Sequence, residues 1–149
     1  MNGLNSLLGE EFISNYFFIV DFDYVRSVKT LVDFPKDKEI IGFASNDISW
    51  HISEALGAKN VLDKKSSLKD IVDYLTIKKD DALFHQKHSL TSREKELLKF
   101  LCEGVDYKDI AMKIGIDKKT VYAIRRNLMI KLGCKNRYVF HNIFFLKKK

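Results

Sequence analysis

The stretch "KKTVYAIRRNLMIKLG", residues 118–133, decides how the C-terminal half of this chain is read. At 3.6 residues per turn, Val121, Ile124, Leu128 and Leu132 fall on one stripe, the side that packs on other helices. Tyr122, Arg126 and Met129 lie roughly opposite, with Ala123 and Ile130 alongside and Lys118 and Lys119 in the first turn. A basic helix face is ordinarily just solvated, so the helix alone leaves open whether it faces water or a groove of DNA. Two features favour the groove. Ala123 is small enough to let a surface approach closely, and Arg126 can reach a guanine edge or a phosphate.

The flanking sequence supplies a frame. Upstream, "TSREKELLKFLCEGV" starts with Thr91 and has Glu94 three residues on, a capping-box signature. Leu97, Leu98 and Leu101 give this helix its apolar face, and Gly104 ends it. "DYKDIAMKIGI" follows, with Asp106 as cap, Ile110, Ala111 and Ile114 as buried positions, and Gly115 as stop. Asp117 caps the opening helix, which closes at Gly133, and "NRYVFHNIFFL" adds another helix. A short helix, a tight "KIGIDKK" turn and a longer basic helix predict helix-turn-helix geometry. In it the second helix enters the major groove and the first crosses the backbone.

In residues 90–146, "LTSREKELLKFLCEGVDYKDIAMKIGIDKKTVYAIRRNLMIKLGCKNR" and its continuation resemble the LuxR/NarL/FixJ-type (GerE-like) DNA-binding domain. The resemblance rests on "LTSRE", the "EG" closing the first helix, "KDIAMKIGI", "KKTV", "RRNLMIKLG" and "KNR", in that order. It implies an all-α four-helix domain whose third helix, 118–132, reads the major groove and whose fourth can pair in a dimer. Carried over by position, Tyr122, Ala123 and Arg126 fall on base-facing sites. Lys118, Lys119, Thr120, Arg125, Asn127 and Lys131 fall on or near backbone-contacting sites. Ile124 departs from the family, which often has histidine there, and Asp117 stands where relatives often have serine.

Charge distribution agrees. From Ser89 to Lys149 there are 15 Lys+Arg against 6 Asp+Glu, a balance of +9. The whole chain carries 26 Lys+Arg and 20 Asp+Glu, so the preceding segment has 26 − 15 = 11 basic and 20 − 6 = 14 acidic residues, or −3. A basic module on a slightly acidic partner suggests a polyanion-binding unit joined to a second domain. The "KKK" terminus reads as a solvated tail that adds nonspecific attraction.

The N-terminal segment alternates strand-length apolar runs, "YFFIVDF" (16–22), "EIIGFAS" (39–45) and "NVLD" (60–63), with helical patterns at 24–32, 48–57 and 67–75. That order predicts a small parallel α/β sheet. "FIVDFDYVRSVKTL" and "EALGAKNVLDKKSSLKDIVDYL" are similar to the start and the end of response-regulator receiver domains. The resemblance sets Asp21 and Asp23 at the acidic pair and Lys64 at the receiver lysine. A working receiver also needs an acceptor aspartate at the end of a central strand and a Mg²⁺ held by carboxylates. The central strand-helix portion is missing, and neither Asp21, in the first strand, nor Asp63, beside the lysine, suits as acceptor. Asp21, Asp23 and Lys64 are therefore expected to be a vestigial receiver site.

The expected domains are a truncated receiver-like α/β domain at 1–78, a linker at 79–89 and a LuxR-type DNA-binding domain at 90–149. No apolar run is long enough to span a bilayer, and "MNGLNSLLGEEF" lacks the basic start of a secretory signal, which points to the cytoplasm and away from membranes. The two cysteines, Cys102 and Cys134, lack metal spacing, so neither metal nor cofactor is expected. The function expected is that of a transcription regulator, not an enzyme. It would bind double-stranded DNA without needing phosphate, as a homodimer or as a heterodimer with another regulator. The alternative is a protein-interaction partner of another response-regulator-type factor, with DNA binding weak or lost.

Overall fold

A computed structural model describes residues 17–24 and 39–145. The described residues divide into two units after Gln86. In the first, β1 (Phe17–Asp21), β2 (Glu39–Ala44) and β3 (Asn60–Asp63) form a three-stranded parallel sheet in the order β1-β2-β3. The register pairs Asp21 with Phe43 and Ala44 with Asp63, so the C-terminal ends of all three strands lie side by side. β2 is the middle strand, and its last four residues are all buried, as expected of a parallel strand covered on both faces.

Alternation along the strands separates two cores. Ile41, Phe43 and Leu62 meet Tyr74 and Leu75 of α2 (Leu68–Ile77), with Ile71 and Val72 alongside. Gly42 lies on the opposite face beneath the buried Phe22 ring. A Cβ there would stand 2.8 Å from Phe22 ring carbons and 3.5 Å from Val61, so glycine is required by proximity. Helix α1 (Asp47–Ala55) packs on β2 and begins at Asn46, whose side chain accepts from the Ser49 amide.

The segment 79–89, expected to be linker, is partly built into this unit. Asp80–Ala82 form a 3-10 turn, Leu83 bridges antiparallel to Leu62, and the Phe84 amide donates to the Val61 carbonyl at 2.9 Å. Burial of Ala82 and partial burial of Leu83 on the Ile41–Leu62 core outweigh the local polarity that suggested a linker. The helix expected at 24–32 falls outside the described residues save for Tyr24, and so does the "KKK" terminus.

In the second unit α3 (Ser92–Cys102), α4 (Tyr107–Ile114), α5 (Lys118–Lys131) and α6 (Arg137–Phe145) follow in order. Thr91 and Glu94 form the expected capping box, and Asp106 and Asp117 cap α4 and α5. α4 stops because Gly115 takes φ 76°, a left-handed conformation that places the Gly115 and Ile116 amides on the Ala111 carbonyl. Helix α5 packs on α3 and on α4. Its Val121 and Leu128 join Leu97, Leu98, Leu101, Cys102, Ile110 and Phe140 in a fully buried core. Among the described residues no helix is long and apolar enough to cross a membrane.

Candidate nucleic-acid interface

Helix α5 is anchored by Val121, Leu128 and Leu132, all buried. That anchoring fixes the rotation of the cylinder and so decides what the opposite side presents. Lys118, Lys119, Thr120, Tyr122, Ala123, Arg126 and Asn127 are all exposed. Among the described residues Lys118, Lys119 and Arg126 have no carboxylate partner within ion-pair distance, which leaves their charge available. Tyr122 is 38% exposed: its ring is held on one side while its rim faces out. The Lys118 ammonium lies 5.9 Å from that ring's centroid. Thr120 is committed to the cap, donating from both its amide and its hydroxyl to Asp117 Oδ1. These bonds hold the exposed Asp117 carboxyl below its ordinary pKa.

Two residues expected near the DNA backbone stand differently. Arg125 is half-buried, its guanidinium 5.1 Å from the Tyr107 ring and 4.8 Å from the Tyr122 ring. The two rings themselves meet edge-on at 5.8 Å. Burial pushes the Tyr107 hydroxyl up in pKa, against the opposing effect of the Arg125 bond. Lys131 turns inward: its ammonium donates to Glu94 Oε2 at 2.8 Å and to the Ser89 carbonyl at 3.1 Å. Glu94 is only 4% exposed and also accepts from the Thr91 amide at 2.9 Å. Its burial raises the carboxyl pKa, but Lys131 and Thr91 outweigh that and leave it lowered. Lys131 is thus the counter-ion of a buried cap rather than a free cation, because a carboxylate with so little water needs a partner. Spacing along one helix could not show this.

The acidic pair of the α/β unit is gathered with Lys64 at the C-terminal edge of the sheet. The Lys64 ammonium lies 2.7 Å from Asp21 Oδ2 and 3.0 Å from Asp23 Oδ2. It also sits 5.3 Å from the Tyr24 ring centroid. Asp23 Oδ1 accepts from the Ser45 amide at 3.1 Å. Burial works against ionising Asp23, yet hydrogen bonds from Ser49, Ser45 and Lys64 bring its pKa down to about 2. The Asp21 bond, working against burial, raises that of Lys64. Ser45 and Ser49 were not singled out from the sequence, although Ser45 directly follows the end of β2. Among the described residues no group of three or more His, Cys, Asp or Glu could hold a metal ion.

A short helix, a turn at 115–117 and an outward-facing basic helix seated on two others define a helix-turn-helix domain. Residues 88–143 match the family described as bacterial regulatory proteins, luxR family, and form a LuxR-family domain. The chain is 30% identical over 127 residues to the transcriptional regulatory protein UhpA of Escherichia coli (strain K12), covering 75% of this chain and 64% of that protein. It is 30% identical over 115 residues to the DNA-binding transcriptional activator EvgA of the same strain, covering 65% and 56%. The chain therefore spans less than two thirds of the length of these relatives. Among solved structures it is similar to RcsB from Salmonella enterica serovar Typhimurium bound to promoter rprA. The TM-score there is 0.40 at 19% identity, over 93% of this chain and 89% of that one.

Proposed function

We propose that this chain is a sequence-specific regulator of transcription that binds double-stranded DNA through the helix 118–132, laid in the major groove. The observation that carries the reading is the outward face of α5, where Tyr122, Ala123 and Arg126 stand exposed beside Lys118 and Lys119. In this reading Tyr122, Ala123 and Arg126 meet base edges. Lys118, Lys119 and Asn127 meet phosphates, and Thr120 and Lys131 hold the helix in place. The domains would be a receiver-like unit at 1–78, a connection over 79–89 that is partly docked, and the DNA-binding unit at 90–149. The UhpA and EvgA names, a regulator and a DNA-binding activator, support the same function. It would be exercised in the cytoplasm, where the DNA is.

The regulator acts without phosphorylation. A phosphoacceptor site keeps its carboxylates available for a divalent cation. Here the Lys64 ammonium already lies within 3.0 Å of both Asp21 and Asp23, so one of the pair's two negative charges is balanced from within and the space between the carboxylates is taken. Binding as a homodimer is supported by α6, where Tyr138 is 71% and Val139 45% exposed, apolar surface suited to a second copy. A heterodimer with another regulator would use the same surface.

Selection of duplexes from a random pool, followed by binding measurements, tests the proposal. A selected site is expected to bind roughly 10³-fold more tightly than random duplex, and a palindrome among the winners is expected for a symmetric dimer. No enrichment, with capture of another regulator instead, would favour the interaction-partner reading.

A further inference from the structure

Tyr122 does not stand alone on α5. Lys118 lies one turn before it and Arg125 one turn after, at spacings that share a helix side. The Lys118 ammonium is 5.9 Å from the Tyr122 ring centroid and the Arg125 guanidinium 4.8 Å. The two cations are held differently. Lys118 is exposed, whereas Arg125 is half-buried and its Nε is buried outright. Arg125 is also tied to a second helix. Its guanidinium lies 5.1 Å from the ring of Tyr107, the first residue of α4, and donates to the Tyr107 hydroxyl. The Tyr107 and Tyr122 rings meet edge-on at 5.8 Å. Three side chains from two helices thus touch pairwise, and the packing of α4 on α5 fixes where Tyr107 stands.

We infer that Arg125 and Tyr107 are positioning residues for the recognition face: they hold the Tyr122 ring in one orientation toward a base edge, and Arg125 does not itself meet the DNA backbone. The inference rests on the DNA-binding reading and refines it. A guanidinium favours aromatic neighbours, and one that meets two rings and a hydroxyl must abandon all three contacts to swing out to a phosphate. A tyrosine on a bare helix surface samples several rotamers and loses that freedom when a base arrives. Holding the ring beforehand avoids a loss of up to about tenfold in affinity for one ordered side chain. Through the same contacts α4, which reads no base itself, influences which base pair α5 prefers.

The test uses the full chain, a selected duplex and its single-base-pair variants. Tyr122→Ala first identifies the base pair at which discrimination depends on Tyr122. Arg125→Lys, which keeps the charge but not the planar group, and Tyr107→Leu are then each expected to lower discrimination at that pair by up to about tenfold. Discrimination at the pair read by Arg126 and the salt dependence of binding are expected to stay as in the parent. In a Tyr122→Ala background both substitutions are expected to lose their effect, since they act through that ring. Tyr107→Phe, which keeps the ring and so guards against a folding defect, is expected to give a smaller loss at the same pair. A phosphate contact behaves otherwise: Arg125→Gln would weaken all duplexes alike and lower the salt slope by about one unit, and Arg125→Lys would restore both. That result would overturn the inference and leave the DNA reading standing. Effects of Arg125→Lys that persist undiminished without Tyr122, or none at its base pair, would overturn it too. A parent chain that discriminates among no duplexes would end the DNA reading and this role together.

Discussion

Lys64, just past the end of β3, and Arg126, in the middle of α5, are both cations, and they are treated in opposite ways. Lys64 is enclosed by Asp21 and Asp23 at 2.7 and 3.0 Å, so its charge is spent joining the ends of β1 and β3 across β2. Arg126 stands exposed on α5, and among the described residues no carboxylate lies within ion-pair distance of it. Lys131, five residues further along the same helix, again has a partner, Glu94. Sign of charge is therefore a poor guide to function here. What distinguishes a binding cation from a structural one is whether the fold supplies its counter-ion, since a paired ammonium has little left to offer a phosphate.

The contrast can be broken at several points. The largest effect is expected from Glu94→Ala, which removes the capping carboxylate and leaves the Lys131 ammonium without its partner. A loss of about 3 kcal/mol in the stability of the helical unit is expected, read from hydrogen exchange of the α3 amides. Glu94→Gln, which keeps the shape and an acceptor, should lose less; equal losses would mean that charge pairing contributes nothing.

Arg126→Ala should leave those amides unchanged and weaken binding to a selected duplex by about 1–3 kcal/mol, with blurred preference at one base pair. A stability loss with intact sequence preference would place Arg126 among the structural cations. Acid sharpens the other side of the comparison. The Asp23 carboxyl is depressed from 3.8 to about 2, so its contribution is present in full above the ordinary aspartate range and fades as pH falls toward 2. At most about 2 kcal/mol is expected to disappear over that window in the α/β unit, where Trp50 reports unfolding by fluorescence. Asp23→Asn should flatten the dependence.

The smallest effect is expected at Lys119. Its replacement by alanine should weaken all duplexes alike and lower the salt slope by about one unit, without touching stability. A change confined to one sequence would contradict its placement against phosphate.

Much of this was legible from local chemistry. Caps at Thr91, Asp106 and Asp117, the stop at Gly115 and the Val121–Leu128–Leu132 stripe each depend on residues within a turn or two of one another, so they can be read in one dimension. The parallel sheet was legible for the same reason, since continuous apolar runs between helical patterns admit few other arrangements. The docking of Ala82 and Leu83 was not, because a short apolar pair among charged neighbours gives no periodic signal.

The sequence by itself determined the order of elements, the caps that begin and end the helices and which face of α5 turns inward, because these follow from spacings of a few residues. Only the tertiary structure decided which cations are committed: Lys64 meets Asp21 from 43 positions away and Lys131 meets Glu94 from 37. Arg125 was set against the rings of both Tyr107 and Tyr122 in the same way, by the packing of α4 against α5. Coulomb attraction and burial act through space, so a charge's availability is settled only when the chain has brought its neighbours together.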